Sequence, residues 1–348
     1  MELLKDLDAF FITNPTNIRY LTGFVGVEDR DAYCLLTSKQ IYLFTNSLYI
    51  EQAKKLPKIE LIEISREDPI STELSRLCGQ LNINKLGFEE VNLTVAELAK
   101  LKSVLDGVSL IPTKNRIEEI RQIKRPEEII NIKKACAITD ASFDFIITKL
   151  KPGVTESEIA WEIETFLRNN HASSAFSPVV AFGKNSSQPH HQSDATVLTN
   201  NNLILLDFGA KYNGYCADMT RVVFIGKPKD EWIRAYDTVS EAQKIALDLL
   251  NSGTRNGAVI DCAAKEIIVE AGLPPYPHNL GHNIGLDAHE GPRLSVKKDE
   301  QLLAGMVFSI EPGVYLPGRY GIRIEDLVRL TDTGIQVLTR SPKAMITL

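Results

Sequence analysis

The chain has 348 residues, 44% of them hydrophobic and 24% charged, the balance of an ordinary globular protein rather than a disordered one, and at that length about two domains are expected. Lys plus Arg number 39 against 45 Asp plus Glu, a formal net charge of −6, so the basic footprint of a nucleic-acid or anionic-membrane binder is missing. No stretch approaches the roughly 18 uninterrupted apolar residues of a membrane span, and the opening MELLKDLDAF lacks the basic region and long apolar segment of a secretory signal.

Residues 1–115 read as an α/β domain. Short β-rich runs, AYCLLT (32–37), QIYLFT (40–45) and LGFEE (86–90), alternate with helical spacing in SLYIEQAKKL (47–56) and VNLTVAELAKLKSVL (91–105). A charged helical stretch over 115–150 changes the texture, with Pro126 placed to open a new helix, so a second domain is expected over 116–348. Thr155 and Glu158 form a capping box at the head of the next helix, ending near Asn170. The remainder is α+β. NLILLDFGA (202–210) and YNGYCADMTRVVFIG (212–226) read as hairpin partners, two helices fit 230–251 and 256–271, and MVFSIEPGVYL (306–316) with GIRIEDLVRL (321–330) read as a final pair of strands. The five cysteines (Cys34, Cys78, Cys136, Cys216, Cys262) are widely spread with no CxxC pair, which fits reduced thiols in the cytoplasm.

Several acidic residues interrupt these apolar runs: Asp207 in LILLDFGA, Asp218 in GYCADMT, Glu311 in VFSIEPGVY and Glu325 in GIRIEDL. A lone buried carboxylate is costly unless paired or bound to a cation, and a hydrogen-bonded core acid is the usual explanation for one; four in one domain need another. Five of the six histidines, His190, His191, His278, His282 and His289, fall in the same half of the chain, and His282 is flanked by glycines in NLGHNIG. Carboxylates with one imidazole suit Mn²⁺, Co²⁺, Fe²⁺ or Zn²⁺, and four carboxylates balance two divalent ions. The period-two rule would put Arg323 on the face of Glu325, where it could orient that carboxylate. His191 reads as a solvated or supporting residue, and Cys216 as a small core thiol.

LLDFGAKYNGYCADMTR, HNLGHNIGLDAHE, FSIEPGVY and GIRIED, with PHHQSD upstream, together resemble the Xaa-Pro peptidases, the prolidases and Xaa-Pro aminopeptidases of the creatinase and methionine aminopeptidase family. The resemblance is sharp over 118–340 and looser over the first 115 residues, where NIRYLTGF (17–24) matches. It implies an α+β "pita-bread" catalytic domain behind a smaller creatinase-type α/β domain, usually in a homodimer, acting on short proline-containing peptides. It implies five ligands for two divalent ions, Asp207, Asp218, His282, Glu311 and Glu325, with manganese as the metal and cobalt, zinc or iron as alternatives. Glu311 would also be the acid/base beside a hydroxide bridging the metals. His190, His278 and His289 would contact substrate and stabilise the developing oxyanion, with Arg323 before the last ligand and Tyr212 near the site. Arg293, in HEGPRLS, could clamp a substrate carboxylate, as a dipeptidase needs; a surface arginine is the alternative. The expected activity is that of an Xaa-Pro dipeptidase, with an Xaa-Pro aminopeptidase as the alternative and a non-catalytic binding protein on the same scaffold as the remote one.

Overall fold

The computed structural model describes residues 2–296 and 301–348, and the chain divides into two compact units, Met1–Ile120 and Arg121–Leu348. The first unit runs β1 (Ala9–Ile12), α1 (Pro15–Thr22), β2 (Ala32–Thr37), β3 (Ile41–Thr45), α2 (Ile50–Ala53), β4 (Ile59–Glu63), α3 (Ile70–Leu81), β5 (Lys85–Glu89), α4 (Val95–Val104) and β6 (Ser109–Thr113). Its strands form one mixed sheet in the order β4-β3-β2-β1-β5-β6. β1 is apolar at every position because both its faces are covered. Ala9 and Phe11 enter a core with Leu74 and Leu77 of α3 and Leu101 of α4, while Phe10 and Ile12 enter another with Ile18 of α1. The helix expected over 47–56 is only the short α2.

After α5 (Arg116–Arg121), the second unit opens with α6 (Pro126–Ile147), which has its proline at the first helical position, and α7 (Glu156–Asn169), closed at its head by the Thr155–Glu158 capping box. There follow β7 (Ser173–Ser174), β8 (Val179–Phe182), β9 (Asn202–Asp207), β10 (Ala210–Tyr212), β11 (Tyr215–Cys216), β12 (Thr220–Ile225), α8 (Asp230–Asn251) and α9 (Gly257–Glu270). The last elements are β13 (Gly281–Asn283), β14 (Glu290–Leu294), β15 (Val307–Ile310), β16 (Gly313–Leu316), β17 (Tyr320–Arg323), β18 (Asp326–Thr331), β19 (Gly334–Val337) and β20 (Ile346–Thr347).

Two sheets, β20-β12-β9-β8 and β14-β13-β15-β18-β19, carry this unit, with β11-β10-β7 and the β16-β17 hairpin beside them. Side chains alternate between two cores. Leu203 and Leu205 of β9 pack with Val239 of α8, Ile260 of α9 and Phe308 of β15. Ile204 and Leu206 pack with Ile132 of α6, Ile159 of α7 and Val307 of β15. Coverage on both sides explains why LILL has no polar face. Among the described residues no helix is long and apolar enough to cross a membrane.

The final pair of strands expected from the sequence is instead four. β15 pairs with β18, from Val307↔Arg329 to Ile310↔Asp326, and β16 pairs with β17, from Gly313↔Arg323 to Leu316↔Tyr320. The ladder breaks where Pro312, which has no N–H to donate, follows Glu311, and resumes on the other side of Glu325. Both glutamates therefore leave the strands at the same level. The same break removes the strand-period argument for Arg323, since β17 ends at Arg323 and β18 begins at Asp326.

Candidate active site

Asp207 ends β9, and the register Asp207↔Thr220 brings it beside the start of β12 and the preceding Asp218. The crossing is tight: a Cβ on Gly209 would sit 1.7 Å from the Ala217 carbonyl oxygen, a position only glycine can fill. His282 is delivered the same way, on a β13 whose Gly281 would place a Cβ 1.8 Å from the Ser309 carbonyl of β15. Glu311 and Glu325 enter from the ladder break. These residues line one cleft of about 590 Å³ together with His190, His278, His289, Arg293 and Arg323.

The polar contacts fix orientations. Nδ1 of His282 faces the Asn283 carbonyl at 3.2 Å, while its Nε2 faces Glu311 Oε1 at 3.3 Å and Asp218 Oδ2 at 3.7 Å. A backbone carbonyl holding one ring nitrogen leaves the other turned to the carboxylates, the usual arrangement of a metal-ligating histidine. Arg323 donates from Nη2 to Asp207 Oδ2 at 2.5 Å, from Nη1 to the Tyr315 hydroxyl at 2.7 Å and from Nε to Thr220 Oγ1 at 2.9 Å. Thr220 Oγ1 in turn donates to Glu325 Oε2 at 2.7 Å. Arg323 thus reaches Glu325 through Thr220 and grips Asp207 directly, rather than orienting Glu325 itself. Ser309 Oγ donates to Glu311 Oε1 at 3.0 Å.

The electrostatics are those of an anionic enclosure. Burial, then the charges of Glu325, Asp207 and Glu311, push Asp218 well above the ordinary carboxylate range. Burial and the neighbouring Glu311 and Asp207 do the same to Glu325. Asp207 is raised by burial and by Glu311 against the pull of Arg323. Burial also works against Glu311, but its hydrogen bond to His282 and the charges of His282, His278 and Arg323 hold it down at about 2. Burial lowers both His278 and His289, which favours neutral rings.

Of the residues singled out in the sequence, all but Tyr212 and Cys216 line this cleft. Tyr212 packs, half-buried, against the core under α6 and α7; the tyrosine whose hydroxyl meets Arg323 and His278 is Tyr315. His278 faces the Asn279 carbonyl with Nδ1 at 2.8 Å and the Tyr315 hydroxyl with Nε2 at 3.0 Å, so protein groups engage both ring nitrogens. The rings of His282 and His289 lie 4.5 Å apart, and His190 is exposed in the cleft. His191 is not solvated; it stands apart from Asp218, His282 and Glu325 and is buried against Glu156. Cys216 is a fully buried thiol, pushed up to about 12 by its burial. Thr220 and Tyr315 escaped the sequence reading, although both lie within the motifs it used: two residues past Asp218, and at the end of EPGVY.

Do these residues fit metal ions? Ligand atoms of Asp218, His282 and Glu325 lie within 4.8 Å of one another. Asp207 Oδ1 and Asp218 Oδ1 are buried with no hydrogen-bond partner among the described residues, a costly state that a bound cation relieves. The donor set is oxygen-rich with one imidazole, which suits first-row divalent ions. The residues fit.

Comparison with known proteins agrees in kind. Residues 130–332 match metallopeptidase family M24, and residues 4–123 match the creatinase/prolidase N-terminal domain, a pairing of the pita-bread fold with a smaller α/β domain. An uncharacterized peptidase of Bacillus subtilis is 35% identical over 345 residues, covering 98% of this chain and 96% of its own. The solved Xaa-Pro dipeptidase from Bacillus anthracis superposes with a TM-score of 0.92 at 36% identity, covering 99% of this chain and 96% of that one. The X-Pro aminopeptidase from Thermotoga maritima superposes with a TM-score of 0.91 at 34% identity, covering 99% and 98%.

Proposed function

This chain belongs to metallopeptidase family M24, and from that premise we propose that it is an Xaa-Pro dipeptidase, cleaving the bond before proline in short peptides. The observation that carries the reading is the cleft itself: four carboxylates and His282 facing one another, with His190, His289 and the Arg293 guanidinium on the same walls. Arg293 supports the dipeptidase form, because a guanidinium pairs in bidentate fashion with the free carboxylate that an Xaa-Pro dipeptide presents one residue from the scissile bond.

Asp207, Asp218, His282, Glu311 and Glu325 would hold two divalent ions, Mn²⁺ in this reading. Such ions supply Lewis acidity, bringing a water to its deprotonated form near neutral pH and polarising the scissile carbonyl. Glu311 takes the water proton at Oε2, its Oε1 being turned to Ser309 and His282, and delivers it to the prolyl nitrogen as the C–N bond breaks. Prolyl nitrogen in a peptide bond has no N–H, so recognition falls on the ring's shape and on both ends of the substrate. His190 and His289 donate to the carbonyl oxygen as charge builds on it. Arg323 holds Asp207 directly and Glu325 through Thr220, keeping both carboxylates aimed at the cleft. The same reading takes the enzyme to be cytoplasmic, on its cysteine pattern, and homodimeric, on its resemblance to the family.

The test is hydrolysis of an Xaa-Pro dipeptide against an Xaa-Pro-Xaa tripeptide after EDTA treatment, with Mn²⁺ or Co²⁺ added back. Metal-dependent cleavage of the dipeptide alone supports the proposal. Preference for the tripeptide makes the enzyme an aminopeptidase, the activity named for the Thermotoga maritima relative, and removes the role given to Arg293. Failure on both peptides with metal bound overturns the reading.

A further inference from the structure

Glu156, the first residue of α7, is fully buried and belongs to no part of the chemistry above. Its carboxylate gathers four donors. Oε1 accepts from the Phe182 backbone N–H at 2.6 Å and from Asn185 Nδ2 at 2.9 Å. Oε2 accepts from the Asp194 backbone N–H at 3.2 Å and faces His191 Nε2 at 2.7 Å; with N–H donors at the other contacts, the imidazole is the donor here too. A helix N-terminus also favours a negative group at this point. Every donor comes from one segment, 182–194, whose middle is Pro189-His190-His191-Gln192 on the cleft wall.

The two adjacent histidines divide the work. His191 is buried against Glu156, whereas His190 is exposed in the cleft. The segment's near end is pinned from the opposite side, where the Gly321 and Gly318 N–H groups donate to Ser186 Oγ at 2.7 Å and Ser187 Oγ at 3.2 Å. Beyond His191, Ser193 Oγ accepts from the Val180 N–H at 2.8 Å. The segment has internal support from a short 3-10 helix over Gly183–Ser187 and from the His191 N–H, which donates to the Gln188 carbonyl at 3.1 Å. Among the described residues no strand pairs with its 188–192 tip, so the position of His190 depends on these turns and on the anchors above. The cluster Glu156, His191 and Asp194 has the residue types of a metal site, but four N–H donors already occupy the central carboxylate.

We infer that Glu156 is a positioning residue: through His191 and the 182–194 backbone it sets the place of the His190 ring over the reacting carbonyl. The inference rests on the proposed function for the role of His190, and on geometry alone for the anchoring. Displacing a group that must meet a developing charge by about an ångström costs up to about 100-fold in rate.

The test is a double-mutant cycle on the metal-loaded enzyme with an Xaa-Pro dipeptide. Glu156→Gln retains one carbonyl oxygen but turns an amide against two donors. It is expected to lower kcat/KM by roughly 10- to 100-fold, mostly in kcat, and to cost less than about threefold once His190→Ala has removed the group it places. Bound metal is expected to stay at the wild-type stoichiometry. His191→Leu should reproduce the loss, and His191→Gln, which keeps a donor for Glu156, should restore most of it. These substitutions at His191 decide the matter should Glu156→Gln fail to fold. Hydrogen exchange gives a readout independent of substrate, with faster exchange of the Phe182 and Asp194 amides expected in Glu156→Gln. Equal losses with and without His190, or unchanged exchange over 182–194, overturn the inference. A wild type inert towards the dipeptide overturns the function reading instead, and the exchange measurement then decides the anchoring.

Discussion

Arg323 is enclosed by groups it must keep apart: Asp207, the Tyr315 hydroxyl, and Thr220 with Glu325 behind it. At this scale each side chain has a separable task and a separable test. Glu311→Gln keeps the shape of the side chain but not its ability to take a proton. It is expected to lower kcat by roughly 10²- to 10⁴-fold, with near-UV circular dichroism unchanged; a variant that kept full turnover would end the proton-shuttle role. Arg293→Ala is expected to raise KM for an Xaa-Pro dipeptide by roughly tenfold or more, the worth of a charge-assisted hydrogen bond at about 1.5–3 kcal/mol, and to leave a tripeptide untouched. Equal effects on both peptides would place Arg293 away from the substrate carboxylate.

Between elements, a buried polar tie joins the end of α5 and the turn before α6 to β13 and β14. Lys124 Nζ, almost fully enclosed, lies 2.6 Å from Asn283 Oδ1 and 3.0 Å from Glu290 Oε2, and Arg121 Nη2 lies 2.5 Å from Glu290 Oε1. Burial pushes Glu290 up, yet Lys124 and Arg121 outweigh it and hold the carboxyl below its usual value. A carboxylate depressed in the folded state stabilises above its unfolded value, near 4.3, and that contribution disappears as pH falls through the folded value. Glu290→Gln leaves two buried cations short of their partner, so a cost of about 3–5 kcal/mol is expected at pH 7. In urea unfolding, the gap between wild type and variant should narrow as pH drops below about 4; a gap independent of pH would show that the charge is not what matters.

The same scale shows what a sequence can and cannot carry. Local signals read well: Thr155 with Glu158, Pro126 at a first turn, and the two helices after residue 230 depend on near neighbours along the chain. Apolar runs broken by single carboxylates also pointed to one cleft, since burying so much charge has few other outcomes. Long-range consequences did not read. A period-two pattern continues through Glu311-Pro312 and Ile324-Glu325, so the split of two strands into four became visible only from who pairs with whom. Tyr315 is passed over in the sequence because nothing along the chain shows that its hydroxyl meets Arg323 and His278. Glu156 had a sufficient local explanation as an acid in a helix's first turn, which hid its partners some 26 to 38 residues away.

For the whole molecule, the carboxylate cluster is a standing strain that cations relieve. Chelation is therefore expected to lower the melting temperature, and added Mn²⁺ to restore it. At an ion concentration 100 to 1,000 times its Kd the linkage is worth about 2.7–4.1 kcal/mol. A melting temperature indifferent to EDTA, in protein shown to have been loaded, would mean that the ions add nothing to the fold. The proposed ligands also stand at distant points of the chain, from the end of β9 at Asp207 to the step between β17 and β18 at Glu325. During synthesis the first two are made long before the last, and a chain released short of Glu325 carries an unmatched group of acids rather than a partial site. On this ligand assignment the five groups first stand together when Glu325 has been made, so the set can close around its ions only after the strands flanking that residue are in place.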